Sequence, residues 1–128
     1  MYTDGGARGN PGIAGIGILI EDKDGNIIKE ISQYIGEQTN NVAEYKALNR
    51  GLEAALDLGI KKIICYLDSE LVVKQIKGEY KVKNERMISM YNMTVPLITK
   101  FDSFKIIHIK RELNKKADKL VNVAIDNR

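Results

Sequence analysis

The sequence predicts an α/β protein with a mixed five-stranded sheet, and three observations support this prediction. Three strand-like segments open the chain, joined by turns rich in glycine. The spacing of apolar residues then becomes helical from about residue 42. Two later apolar runs are each followed by a helical segment, and such strand–helix–strand units require parallel pairing through right-handed crossovers. We therefore expect strands 1–3 to be antiparallel, strands 4 and 5 to be parallel to strand 1, and helices on both faces.

The first three strands form a predicted antiparallel meander at residues 1–7, 13–21 and 26–35. In the second strand Ile16, Ile18 and Ile20 share one face and small residues occupy the other. That pattern suits a sheet covered closely on one side. Asp24-Gly25 is a typical hairpin turn into the third strand.

Helices and strands alternate in the rest of the chain. The predicted elements are a helix at 42–58 ended by Gly59, a strand at 62–67, helices at 69–77 and 84–101, a strand at 104–111 and a helix at 114–125. Pro96 is expected to kink or split the stretch at 84–101, with Thr94 as a candidate cap for its second part.

Composition places the 128 residues in one predicted domain, 1–128, because 44% are hydrophobic and 29% are charged, as in soluble globular proteins. No window has the apolar length of a membrane helix, and Met1 leads directly into polar residues rather than a signal peptide. Cys65 is a lone cysteine in an apolar run, which favours a buried structural thiol. We expect a cytoplasmic monomer with no membrane partner.

Charge is distributed unevenly along the chain. Residues 1–60 carry five Lys/Arg and nine Asp/Glu, a net charge of −4, whereas residues 61–128 carry fifteen and eight, a net charge of +7. From charge alone, an anionic partner bound by the second half and a simple solvated basic face explain this equally well.

Four acids occupy comparable places: Asp4 is on strand 1, Glu44 is in the first turn of the first helix, Asp68 ends strand 4, and Asp118 is in the first turns of the last helix. Asp68 ends strand 4, where ligands of open α/β sheets collect, and pairing of strand 4 with strand 1 would bring Asp4 close to it. Converging carboxylates repel one another and raise each other's pKa values. A hard divalent cation with oxygen ligands, Mg²⁺ or Mn²⁺, would stabilise such a cluster.

Each acid also has a purely structural explanation, which the residues alone leave open. Asp4 could be a turn residue, and Glu44 could complete a capping box with Asn41 as N-cap. Asp68 could cap the helix after it, and Asp118 could be a solvated acid favoured by the helix dipole.

Four sequence blocks in order resemble the type 1 ribonuclease H family, and together they cover almost the whole chain: YTDGGARGNPG, TNNVAEYKAL, YLDSELVV and KRELNKKADKL. The resemblance implies the ribonuclease H-like fold. It also implies endonucleolytic cleavage of the RNA strand of RNA–DNA hybrids by two divalent metal ions, leaving 5′-phosphate and 3′-hydroxyl ends.

The resemblance further assigns roles to individual residues. It implies that the catalytic and metal-binding carboxylates are Asp4, Glu44, Asp68 and Asp118. The residues that distinguish RNA from DNA through the 2′-hydroxyl would be Gly5, Gly6, Arg8, Asn10, Asn40 and Asn41. Thr39 corresponds to a phosphate contact on the DNA strand. For Asn40 and Asn41, helix capping is the alternative role.

The chain departs from some relatives in the family at three places. The loop KRELNKKAD has no histidine, His108 lies within predicted strand 5, and Arg111 could supply electrostatic help or only a phosphate contact. A basic, tryptophan-rich protrusion is missing, and only a smaller basic contact remains at Lys77, Lys81, Lys83 and Arg86. Glu70 stands where relatives often have an uncharged polar residue, and its charge would weaken contact with RNA.

Two other functions therefore remain open at this point. The missing histidine is compatible with a non-catalytic module that binds RNA–DNA hybrids. Another nuclease of the same fold, such as a junction resolvase or an integrase-like core, is the second alternative, although the TNN and GNPG segments suit reading of a 2′-hydroxyl.

Overall fold

The computed structural model describes residues 1–128 and contains one five-stranded sheet. Its strands are β1 (Tyr2–Gly9), β2 (Gly12–Glu21), β3 (Ile27–Gln38), β4 (Lys62–Leu67) and β5 (Ser103–His108). The helices are α1 (Asn40–Asp57), α2 (Glu70–Ile76), α3 (Glu85–Ile98) and α4 (Lys115–Asp126), with a short 3₁₀ turn at Arg111–Leu113 before α4.

The strands lie in the order β3-β2-β1-β4-β5, with β1 at the centre. β1, β2 and β3 pair antiparallel, whereas β4 pairs parallel with both β1 and β5. This confirms the predicted mixed sheet. Pairing between β1 and β4 ends at Thr3 and Leu67, so Asp4 and Asp68 are the next residues along the two strands.

Helices cover both faces of the sheet, as predicted. α1 packs on β1 and β2 and also contacts α2 and α3, and α4 packs on β1, β2 and β3. Ile16, Ile18 and Ile20 of β2 belong to the core beneath α1, whereas Gly15 and Gly17 face α4. A Cβ on Gly17 would lie 2.2 Å from the carbonyl oxygen of Ala117, so α4 approaches this face too closely for any larger residue. None of the helices combines the length and the apolar character that crossing a membrane requires.

Two predicted helix boundaries were wrong. α1 begins at Asn40 rather than residue 42, and its N-cap is Thr39, whose hydroxyl accepts from the Val42 N–H at 3.3 Å. α3 ends at Ile98 rather than at residue 101, and Pro96 does not split it, because a proline in the last turn removes only one helical hydrogen bond. Thr94 does not cap a second helix.

Candidate active site

A cleft of about 590 Å³ lies beside β1 and at the carboxyl end of β4. Its walls come from β1, α1, α4 and the segment after β4. The lining residues are Asp4, Gly5, Gly6, Ala7, Arg8, Asn40, Asn41, Glu44, Asp68, Ser69, Arg111, Asp118, Val121, Asn122 and Ile125. All the predicted site residues except Asn10 and Thr39 therefore line one cleft.

Three carboxylates converge inside this cleft. Oxygen atoms of Asp4, Glu44 and Asp68 all lie within 4.8 Å of one another. Asp4 and Glu44 are both only 7% exposed, and Asp68 is half-buried. Asp118 lines the same cleft from α4 without belonging to this close trio. The fold thus brings together three acids, Asp4, Glu44 and Asp68, that are up to 64 positions apart in the chain.

Glu44 reaches β1 because two backbones approach closely. The Gly5 N–H donates to Glu44 Oε1 at 2.7 Å. A Cβ on Gly5 would lie 2.2 Å from the carbonyl carbon of Ala43, so only glycine allows α1 to approach β1 this closely. The alternative role of Glu44 in a capping box with Asn41 is excluded, since Thr39 is the N-cap and the Glu44 carboxylate contacts β1 instead of its own helix end.

Asp68 is positioned by a residue that the sequence did not single out. The helix after β4 is capped by Ser69, whose hydroxyl accepts from the Val72 N–H at 3.2 Å, so Asp68 does not cap it. Instead, Asp68 Oδ2 accepts from Asn114 Nδ2 at 3.0 Å. The only signal for Asn114 in the sequence is its place in the block RELNKKAD, four positions before Asp118.

The electrostatics of the trio favour a cation. Burial, followed by the charges of Asp68 and Asp118, raises the pKa of Asp4 to about 8. Burial, followed by the charges of Asp4 and Asp68, raises the pKa of Glu44 well above its usual value. No lysine or arginine forms an ion pair with any of the three acids. An all-oxygen donor set with excess negative charge fits Mg²⁺ or Mn²⁺.

The glycine-rich end of β1 is tied to the start of α1 by asparagines. Asn40 Oδ1 accepts from the Ala7 N–H at 2.8 Å, and Asn10 Oδ1 accepts from the Asn40 N–H at 3.0 Å. Asn41 is exposed in the cleft wall and does not cap the helix. These bonds hold the loop and the helix start in one fixed surface beside the acids.

Arginines flank the acids on the α4 side. Arg8 pairs with Asp126 at 2.7 Å and donates to Asn122 Oδ1 at 3.2 Å. Arg111 is exposed, and its Nη2 lies 4.0 Å from Asp118 Oδ1. The sequence therefore correctly placed both arginines at the cleft.

Two other side chains considered from the sequence lie outside the cleft. His108 is exposed at the end of β5, as predicted for a strand residue. Glu70 pairs with Lys74 at 2.9 Å on the surface of α2. Neither lines the cleft.

Comparisons with known proteins agree with this geometry. A family model described as "Reverse transcriptase-like" matches residues 2–124. Ribonuclease HI of Halobacterium salinarum is 41% identical over 126 residues, which are 98% of this chain, and the chain spans 63% of that relative's length. The crystal structure of RNase H1 from Halobacterium salinarum NRC-1 superposes with a TM-score of 0.97 at 41% identity, covering 99% of this chain and 96% of that one.

A further solved structure is LC11-RNase H1 in complex with an RNA/DNA hybrid. It matches with a TM-score of 0.94 and 47% identity, covering 98% of this chain and 95% of that chain. Fold, sequence and cleft geometry agree, and the chain belongs to the type 1 ribonuclease H family.

Proposed function

We propose that the protein is a metal-dependent endoribonuclease that hydrolyses the RNA strand of RNA–DNA hybrids. The observation that carries this proposal is the convergence of Asp4, Glu44 and Asp68 within 4.8 Å, in a cleft bordered by a glycine-rich strand. A relative of 47% identity was crystallised with an RNA/DNA hybrid, which supports the choice of substrate.

The acids would hold two divalent ions, Mg²⁺ or Mn²⁺, in the catalytic complex. Asp4, Glu44 and Asp68 form the close trio, and Asp118 contributes from α4. Bound ions of this kind activate water and stabilise the charge on the leaving oxygen, which gives 5′-phosphate and 3′-hydroxyl ends. The hydrogen bond from Gly5 fixes the Glu44 carboxylate, so that its position is set before any substrate arrives.

Recognition of RNA would come from the surface next to the acids. Gly5 and Gly6 have no side chains, so a sugar can approach the backbone of β1 closely. Asn40 and Asn41 stand beside them with their amides at the cleft, where a 2′-hydroxyl can be read. Arg8 lines the cleft with these 2′-hydroxyl readers, Arg111 would supply positive charge for phosphate groups, and Thr39, just outside the lining, would contact the DNA strand.

The direct test is cleavage of an RNA–DNA hybrid, double-stranded RNA and a DNA duplex side by side, with Mg²⁺ or Mn²⁺. We expect the wild-type protein to cut only the RNA strand of the hybrid efficiently, and Asp68→Asn to lose this activity while remaining folded. Full activity in Asp68→Asn would contradict the proposed role of the acids.

The same assay separates the two alternatives. Tight binding of the hybrid with no cleavage under any metal would indicate a non-catalytic binding module. Preferred cutting of four-way DNA junctions would indicate another nuclease of this fold. The presence of two buried acids beside the half-buried Asp68 favours catalysis, because a binding module has no need for unpaired buried charge.

A further inference from the structure

Asn114 is a buried asparagine between the acid-bearing segments. Its side chain is 1% exposed, and its Nδ2 donates to the Thr3 carbonyl at 2.9 Å and to Asp68 Oδ2 at 3.0 Å. Thr3 directly precedes Asp4 in β1, and Asn114 itself directly precedes the helix that carries Asp118. One amide therefore links three of the segments that supply acids to the cleft.

The Asn114 amide lies where the pairing of β1 with β4 ends. The Met1 carbonyl accepts from the Tyr66 N–H at 2.8 Å, and alternate carbonyls of a strand point to the same side. The Thr3 carbonyl therefore faces β4 as well, but pairing of β1 with β4 stops at that residue. Asn114 supplies the donor that the next N–H of the neighbouring strand would supply in a longer ladder.

The contacts of Asn114 require an amide at this position. A primary amide nitrogen carries two N–H donors, and both point to oxygen acceptors here. A carboxylate would place oxygen against oxygen, and a hydroxyl would offer only one donor. Asn114 is the residue before α4, yet its side chain does not cap that helix. Helix capping therefore does not explain the asparagine.

Stability alone does not explain it either. Asn114 Oδ1 is buried without a hydrogen-bond partner, which is unfavourable for folding. An apolar residue of similar size would avoid that cost, although it would leave the Thr3 carbonyl and Asp68 without their donor. The unpaired Oδ1 of Asn114 is understandable if the main role of its amide is to hold the Asp68 carboxylate in place.

We propose that Asn114 is a positioning residue that orients the Asp68 carboxylate and fixes its separation from Asp4 for cation binding. This inference rests on the proposed function, because it concerns the same cleft. The bond to Oδ2 limits rotation of the carboxylate, while the bond to the Thr3 carbonyl anchors the amide to the strand of Asp4. When a residue that hydrogen-bonds to a metal ligand is removed, the affinity for the metal commonly falls.

Mn²⁺ binding without substrate, measured by calorimetry, tests the inference together with hybrid cleavage and urea unfolding on the same preparations. The variants are Asn114→Ala, Asn114→Ser and, as a matched control, Asn49→Ala. Asn49 is also a buried asparagine, 4% exposed, but its amide donates to the Met90 carbonyl between α1 and α3, away from the cleft.

In Asn114→Ala we expect the Kd for Mn²⁺ to rise about tenfold. We also expect kcat to fall, with the KM for the hybrid at saturating Mn²⁺ unchanged. Asn114→Ser, which keeps one donor, should lie between Asn114→Ala and wild type. Asn49→Ala should lose stability but bind Mn²⁺ as wild type does.

Wild-type Mn²⁺ affinity in both Asn114 variants would overturn the inference, as would an equal weakening in Asn49→Ala. If Asn114→Ala does not fold, Asn114→Ser decides between these outcomes. A wild-type protein that neither binds Mn²⁺ nor cleaves the hybrid would instead contradict the proposed function, so the two failures are distinguishable.

Discussion

Helix α1 buries polar side chains on two sides, and the two clusters are built differently. On one side, Asn49 donates to the Met90 carbonyl of α3 at 3.2 Å and accepts from the Thr94 hydroxyl. On the other side, Glu44 meets two further carboxylates at the edge of the cleft. Asn49 and Glu44 are similarly buried, at 4% and 7% exposure.

The two clusters differ in charge and in whether their polar groups have partners. The Asn49 cluster is neutral and its donors have acceptors, so it stabilises the packing of α1 against α3. The acid cluster has no basic partner, so its charged form opposes folding unless a proton or a cation binds. Buried polar groups on a single helix thus stabilise the fold in one place and, under the proposed function, bind a cation in the other.

The largest expected effect is on the acidic side. Glu44→Gln keeps an acceptor for the Gly5 N–H but removes the charge, and we expect hybrid cleavage to fall by about a thousandfold. The free energy of unfolding should stay the same or rise, because a charge leaves the buried cluster. Steady-state cleavage and urea unfolding measure the two quantities, and a large loss of both would show that Glu44 is mainly structural.

For the neutral Asn49 cluster we expect the reverse result, a loss of stability with unchanged cleavage. Asn49→Ala leaves the Met90 carbonyl and the Thr94 hydroxyl without this partner, and should lower the free energy of unfolding by about 2 kcal/mol. Cleavage at a temperature where the variant is folded should match wild type. A loss of activity with unchanged stability in Asn49→Ala would contradict the view that the Asn49 cluster is structural.

The raised pKa of Asp4 makes the contribution of the acid cluster to stability depend on pH. Its pKa is raised to about 8 in the folded protein, above its unfolded value, so the folded state binds the proton more tightly. In chelator, this contribution to stability is full below about pH 4 and is lost as the pH rises through about 8. Asp4→Asn should therefore become more stable than wild type by at least about 1 kcal/mol near pH 8.

Thermal unfolding in chelator from pH 4 to pH 9 measures this difference. Added Mg²⁺ should stabilise wild type and not Asp4→Asn, because the cation replaces the proton. A difference between the two proteins that does not change with pH would contradict the raised pKa. Asn49→Ala is the control because it removes no titrating group, and its stability should change with pH as that of wild type does.

The smallest expected effect comes from charges outside both clusters. Among the exposed basic residues of the second half, seven are the expected source of this effect: Lys77, Lys81, Lys83, Lys110, Arg111, Lys115 and Lys116. Affinity for the hybrid should fall as salt rises, because phosphate contacts release counterions. Lys81→Gln should reduce the slope of log affinity against log salt by about 1 or less, without changing stability. A slope of zero for wild type would exclude the basic surface as the binding site.

The sequence alone determined the order of the elements, the mixed sheet and the four acids. Those features depend on local patterns: alternating or helical spacing of apolar residues, glycines at turns, and the four blocks around the acids. The family resemblance also placed Arg8, Arg111, Asn40 and Asn41 at the cleft, whereas Asn10 lies outside its lining.

Only the tertiary structure decided which partner each polar side chain has. The alternative capping role of Glu44 is excluded because a backbone N–H of β1, 39 positions away, donates to its carboxylate. The role of Asn114 was invisible because its acceptors are 111 and 46 positions away in the chain. Such contacts depend on how closely strands and helices approach one another, and spacing along one segment does not encode that distance.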